Sequence, residues 1–347
     1  MRSSMVAVCF LCVMASLPTG AMATKYAGEF MAVGGGARAL GMGGAFTAVA
    51  ADASTVYWNP AGVSGLQGRQ ALAMHSERFG DLVNYNFASY MQPTGLLSKE
   101  REAGFGFALQ HLGIDDIVIS NHLGFFDQNQ NGIFEPDLGE YLTIDGREIE
   151  EGDLRNLPKE SDNSFAFLST FAFNTGYGRL GGTLKLIYTN SIAGNTSTGI
   201  GIDIGYLYQN LLVNNLNFGL KLQDATGTYL SWSSGTNEYI LPAVKVGAAY
   251  KIVSKSLNGA LLLALDSDFY FDNRRTASQL WVGRTSADIH GGAELSFQEK
   301  VMVRGGVDSG NWTAGAGFLV SVLGFDYAYL NHDDFDATHR VSILVNF

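Results

Sequence analysis

Cysteine is almost missing from this chain. Only two occur in 347 residues, Cys9 and Cys12, both within the first twelve positions. If the first residues are removed as a leader, what remains can form neither a disulfide framework nor a thiolate metal site. Proline is also scarce, at 6 residues, and charged residues make up 16%, against roughly 25% in an ordinary soluble domain. Long hydrophobic runs are missing too. The most apolar stretch beyond the leader, Ala260–Leu265, stops at Asp266, far short of the roughly 20 residues that a membrane helix needs. The formal charge is −11 with no basic run, which argues against a nucleic-acid partner. No nucleophile elbow or His-x-x-x-His pair occurs. His111 with Asp115 and Asp116 reads as polar loop chemistry, so no catalytic residue is assigned and an enzyme is not expected.

What the chain has in quantity is glycine, 43 residues, and aromatics, 12%, at a mean hydropathy near zero. That mixture suits many strands, each with one apolar face. The first residues read as an export leader. Arg2 supplies the positive end, Met5–Leu17 the apolar segment, and Ala21-Met22-Ala23 the small-x-small cleavage site. The predicted organisation is a signal peptide at 1–23, a Gly- and Ala-rich segment at 24–68, and a series of alternating segments at 69–347.

Period-two alternation marks these last segments as strands. Val341, Ile343, Val345 and Phe347 share one face, opposite Arg340, Ser342 and Asn346. Ile200, Ile202, Ile204, Tyr206 and Tyr208 oppose Gly201, Asp203 and Gly205. Fourteen strands can be placed, the third at 103–111 and the fourth at 163–174. Connections after even strands are short, and those after odd strands include the long stretches 112–162, 224–241 and 272–285. Alternately short and long connections are the pattern of a transmembrane barrel with periplasmic turns and outer loops. A secreted β-sandwich would share the alternation. The membrane reading is favoured by the terminal Phe347 and by aromatic residues at strand ends, Tyr188, Tyr208, Tyr270, Trp312 and Tyr329, where amphipathic rings settle at an interface. The expected fold is therefore all-β, a 14-stranded antiparallel barrel carrying a long extracellular insertion at 112–162, and the expected partners include membrane lipids.

Residues 33–62, VGGGARALGMGGAFTAVAADASTVYWNPAG, resemble the N-terminal segment of the FadL-like superfamily of outer-membrane barrels, with Asn59-Pro60-Ala61 matching its short hatch motif. The segments LPAVKVGAAYKI (241–252) and 304–347 resemble the PorV/PorQ-type branch more closely. The resemblance implies a barrel whose lumen is plugged by residues 24–68. It also implies a location in the outer membrane and one of two roles. The first is passive transport of small hydrophobic molecules. The alternative is a PorV-like role in type IX secretion, with secreted proteins or the secretion machinery as partners. Asn59, Pro60 and Ala61 read as a rigid turn seating the hatch, with Gly41, Gly43 and Gly44 allowing close approach to the wall. The rival reading is a gate that moves on ligand binding.

Four further expectations concern sites. A hydrophobic ligand would need a pocket from residues such as Leu40, Met42, Phe46, Phe105 and Phe107. Gly104, Gly106 and Gly113 could permit a kink in the third strand. The inward faces would carry Lys185, Asp203, Lys221, Lys245, Asp266, Asp268, Asp288, His290, Glu294, Arg304, Asp326 and Arg340, as ion pairs holding the hatch with Arg38 and Asp52, or as a polar conduit. Finally, Asp127, Asn129, Asn131 and the Ile133 carbonyl follow the spacing of a calcium loop, with Asp137 or Glu140 standing in for the acid missing at Leu138. A polar surface turn would use the same residues. A structural calcium ion in the outer loop is the only cofactor the sequence suggests.

Overall fold

The computed structural model describes residues 28–50, 52–78, 82–96, 102–119, 123–144, 146–149, 157–255, 258–331 and 337–347. The expected leader and its cleavage site lie outside them. No helix among these residues is long and apolar enough to cross a membrane.

Fourteen antiparallel strands form a closed wall. They are β1 Gln70–Arg78, β2 Val83–Thr94, β3 Ala103–Val118, β4 Lys159–Asn174, β5 Arg179–Asn190, β6 Thr196–Tyr208 and β7 Leu216–Gln223. They continue as β8 Ala243–Ser254, β9 Gly259–Tyr270, β10 Thr285–Phe297, β11 Val301–Asp308, β12 Asn311–Val320, β13 Leu323–Leu330 and β14 Thr338–Asn346. Each pairs with its neighbours in sequence. The ring closes where β1 lies against β14, from Gln70 opposite Asn346 to Glu77 opposite His339. Closure gives backbone groups a partner within the wall, which a strand needs to stand in hydrocarbon.

Alternation then sorts the side chains. Outward positions are apolar and open to the surroundings, as at Leu109, Phe167, Leu184, Ile202, Leu265 and Val303. The inward positions carry the polar residues expected there. Lys185, Asp203, Lys221, Asp266, Arg304 and Arg340 are all buried inside the ring. A greasy exterior around a polar interior is the arrangement of a barrel standing in a bilayer. Trp312 and Tyr329 lie on the outer surface with ring centroids 5.0 Å apart. Tyr270, expected at the interface, instead shares the inward face of β9 with Asp266 and Asp268.

Two regions depart from the sequence reading. β3 runs on to Val118 and β4 begins at Lys159, so the outer insertion is shorter than 112–162. It contains a small antiparallel sheet of Leu123–Phe125, Leu142–Ile144 and Arg147–Glu148. The stretch 224–241, read as a loop, contains a hairpin. Its first arm, Thr228–Trp232, pairs with the outer part of β6 and its second is Asn237–Ile240.

The lumen is filled by residues 28–68. They contain little regular structure: short 3-10 helices at Glu29–Val33 and Pro60–Gly65, and two single-turn helices, α1 Ala37–Gly41 and α2 Thr55–Trp58. Met42 and Phe46 are fully buried. Trp58 packs against Phe46 and Tyr57, and Tyr57 against Phe87 of the wall. Burying a side chain of this size is worth about 1.5–3 kcal/mol, so the aromatic cluster glues plug to wall.

Candidate functional site

Short turns satisfy part of the plug's peptide groups, as where Gly44 N bonds Ala39 O at 3.0 Å and Asn59 N bonds Thr55 O at 3.0 Å, but with so little helix and no strand others need partners outside the segment. Side chains of the wall supply them. Asp266 Oδ2 accepts from Phe46 N at 2.9 Å and Thr47 N at 2.7 Å. Lys221 donates to Tyr57 O at 2.7 Å, Tyr85 to Gly34 O at 2.8 Å and Thr313 to Gly41 O at 3.1 Å. Ser342 accepts from Ala37 N at 3.3 Å. These wall residues come from β9, β7, β2, β12 and β14, so the hatch is gripped from all round the ring.

The Asn59-Pro60-Ala61 turn is the tightest part of this seat. Pro60 begins a 3-10 turn, where its missing N–H costs nothing. Asn59 is fully buried and spends its side chain three ways. Oδ1 accepts from Ala61 N at 3.1 Å, while Nδ2 donates to Thr47 O at 2.8 Å and to Tyr206 O, in the wall, at 3.2 Å. One amide thus ties the turn to itself, to the rest of the plug and to β6. The wall leaves room for it by having no side chains there. A Cβ at Gly205 would lie 2.2 Å from Asn59 Oδ1, and one at Gly181 2.4 Å from the Pro60 carbonyl carbon. The hatch glycines follow the same rule: Gly43 has φ +66°, and a Cβ on it would meet Val307 O at 2.4 Å.

Ion pairs complete the attachment. Arg38 bonds Glu294 of β10 at 2.6 Å and Asp52 within the hatch at 3.3 Å. Burial opposes the Arg38 charge, but Glu294 and Asp52 outweigh it and raise its pKa above the ordinary value. Arg304 extends this chain, meeting Glu294 and Asp326 at 2.6 Å each. A second cluster joins Lys185 to Asp203 at 2.7 Å, Lys221 to Asp203 at 3.1 Å, and Lys185 also to Asp224. A third joins Lys245 to Asp268, and His290 to Asp308 at 3.0 Å. Tyr57 of the hatch lies near the second and third clusters and is pushed up to about 12, chiefly by burial, so it stays neutral.

Above the hatch, toward the outer mouth, lies a cavity of about 180 Å³. Met31, Val33, Leu40 and the rings of Tyr57, Trp58 and Tyr270 supply its apolar surface, and Lys245, Asp268, His290 and Asp308 line another part. Of the expected pocket residues only Leu40 reaches it. Met42 and Phe46 lie inside the plug's core. Phe105 and Phe107 sit on the outward face of β3, where Phe105 packs on Phe171 and Phe107 on Phe167, with centroids 5.2 and 6.1 Å apart. Nor does β3 carry a bulge within the wall. Its register with β2 and with β4 is unbroken from Ala103 to Ile114, and the single shift falls between Ile114 and Ile117 at the outer end. Gly104 and Gly106 serve packing instead: a Cβ on either would come within 2.5 Å of Val63 O or Val56 Cγ2 of the hatch.

In the outer insertion, Asp127, Asn129 and Asn131 do gather round Gly132. Asp127 accepts from Asn131 N at 3.2 Å and Gly132 N at 2.7 Å. The acid closing the loop is Glu140, not Asp137. Glu140 is buried and accepts from Gln128 N at 3.0 Å and Glu135 N at 2.7 Å, whereas Asp137 sits on the short helix Pro136–Leu138. No group of three or more His, Cys, Asp or Glu side chains suited to a metal occurs among the described residues.

No protein-family profile and no curated protein matches the chain. Solved structures do. The chain is similar to the Ralstonia pickettii toluene transporter TbuX, with 13% identity over 90% of this chain and 98% of that one and a TM-score of 0.54. It is similar to the CymD monoaromatic hydrocarbon channel, with 12% identity over 91% and 98% and a TM-score of 0.55. A Pseudomonas aeruginosa FadL homologue gives 10% identity over 88% and 96%, with a TM-score of 0.51. The chain therefore has the fold of these FadL-type hydrocarbon channels along nearly their whole length. The comparisons give the PorV-like secretion role no support.

Proposed function

We propose that this protein is an outer-membrane channel for the passive uptake of small hydrophobic molecules, and not an enzyme. The observation that carries this reading is the cavity above the hatch, inside a barrel of hydrocarbon-channel fold. A volume of about 180 Å³ suits a single-ring molecule, since an apolar cavity of about 150 Å³ accepts benzene. Tyr57, Trp58 and Tyr270 are among the cavity's lining residues, and aromatic linings are common in sites for apolar ligands. Asn59, Pro60 and Ala61 hold the hatch in place in this reading. The ligand moves past a fixed plug, because the wall bonds to Phe46, Thr47, Gly34, Gly41 and Ala37 would all have to break for the segment to leave.

The test is uptake of radiolabelled toluene by a Gram-negative host lacking its own hydrocarbon channels. Expression of this protein should raise the initial rate several-fold. Ala32→Trp, at an exposed residue on the cavity lining, should abolish most of the gain with the barrel intact. Equal uptake with and without the protein would refute the proposal.

A further inference from the structure

Among the described residues, most lumenal cations are paired with an acid. Lys185, Lys221, Lys245, Arg38 and Arg304 each meet a carboxylate. Arg340 of β14 does not. It is 3% exposed, yet its Nε and Nη1 have no hydrogen-bond partner, and among the described residues it forms no ion pair. Two hydroxyls beside it are in the same state. Ser76 stands directly opposite Arg340 across the β1–β14 pair, and Thr338 precedes Arg340 by one inward position on β14. Both are 1% exposed, and their oxygens have no partner.

The charged or titratable groups that act on Arg340 are Arg78, Asp308 and Tyr85. Arg78, of like sign, adds to the positive field. Asp308 is held by His290 at 3.0 Å. The Tyr85 hydroxyl donates to Gly34 O and accepts from Gln110 Nε2 at 2.8 Å each, so it is occupied. A buried guanidinium without a counter-charge is among the costlier arrangements in a protein. It becomes favourable when an anion supplies the missing acceptors, because the guanidinium fork matches the oxygens of a carboxylate or phosphate.

We infer that Arg340, Ser76 and Thr338 form a binding site for an oxyanion, the carboxylate or phosphate group of a small solute or of a lipid headgroup. Arg340 supplies the fork, and the two hydroxyls donate to the remaining oxygens. The inference does not rest on the transport reading, and toluene uptake can succeed or fail independently of it.

The experiment uses the full-length protein purified in detergent. Its thermal midpoint is followed by tryptophan fluorescence in low-salt buffer during titration with sodium benzoate and, separately, inorganic phosphate. Native mass spectrometry looks for a retained anionic lipid. A saturable upward shift with benzoate identifies a carboxylate solute, one with phosphate an inorganic or phosphorylated solute, and a retained lipid the headgroup. In each case Arg340→Met should weaken the apparent affinity by about tenfold or more, as expected on losing charge-assisted hydrogen bonds. Arg340→Lys should retain part of it. Ser76→Ala, which removes a hydroxyl and adds no bulk, gives a smaller loss and serves if Arg340→Met fails to fold. In anion-free buffer Arg340→Met should melt no lower than wild type, since it removes an uncompensated charge. No shift with either anion and no retained lipid would overturn the site, as would an Arg340→Met protein that responds as wild type does.

Discussion

The wall and the hatch solve the same problem in opposite ways. Each must satisfy its peptide groups away from water. The wall does so by repetition: fourteen ladders, each strand answering the next, with side chains left to face lipid or lumen. The hatch has almost no ladder of its own; it combines short internal turns with partners borrowed from Asp266, Lys221, Tyr85, Thr313 and Ser342. The wall should therefore tolerate many substitutions that preserve alternation. The hatch should be sensitive to single changes in a structure it only touches.

The sharpest break is Gly205→Leu. Its side chain would need the space of Asn59 Oδ1, 2.2 Å from the first added atom. The ladder of β6 stays intact, so the barrel should still migrate as a folded, heat-modifiable band, while the plug is displaced and planar-bilayer conductance rises severalfold. Folded barrel with unchanged conductance would refute the division of labour. Arg38→Met comes next. It removes the bonds to Glu294 and Asp52, but Glu294 keeps Arg304 and the Arg38 side chain retains 22% exposure. The cost should then fall near about 1–3 kcal/mol rather than the about 3–5 typical of a fully buried pair, read as a lower melting midpoint with an unchanged conductance. The smallest effect lies outside both regions. We propose that calcium binds the outer loop through Asp127, Asn129, Asn131, the Ile133 carbonyl and Glu140. Calcium should slow protease cleavage within 123–149, and Glu140→Gln should remove that protection without moving the barrel's melting midpoint.

Much of this was legible in the residues. A period of two put Lys185, Asp203, Asp266, Arg304 and Arg340 inside, and all five are there. Arg38 and Asp52 were readable as ion-pair candidates because so few charges occur in the hatch. The pocket was not legible. Phe105 and Phe107 looked like ligand contacts because they are aromatic and close to glycines, yet the glycines were the better signal. Gly104, Gly106, Gly181, Gly205, Gly219 and Gly306 all point inward and all touch the plug, so an aromatic residue alternating with such glycines must face lipid. Tyr270 misled for the opposite reason: an amphipathic ring near a strand end suits a lumenal cavity as well as a membrane interface. The hairpin at 228–240 was missed because its arms are too short to show a period.

The bond between Ala37 N and Ser342 Oγ spans 305 positions, and it has a bearing on biogenesis. The plug leaves the secretion channel first, yet one of its clasps is on the final strand. A chain truncated before Thr338 lacks both that clasp and the seam with β1, and protease should reach its N-terminal segment. Closing the ring therefore adds the last of the stopper's clasps, and the cork gains its full grip only when the cylinder is complete.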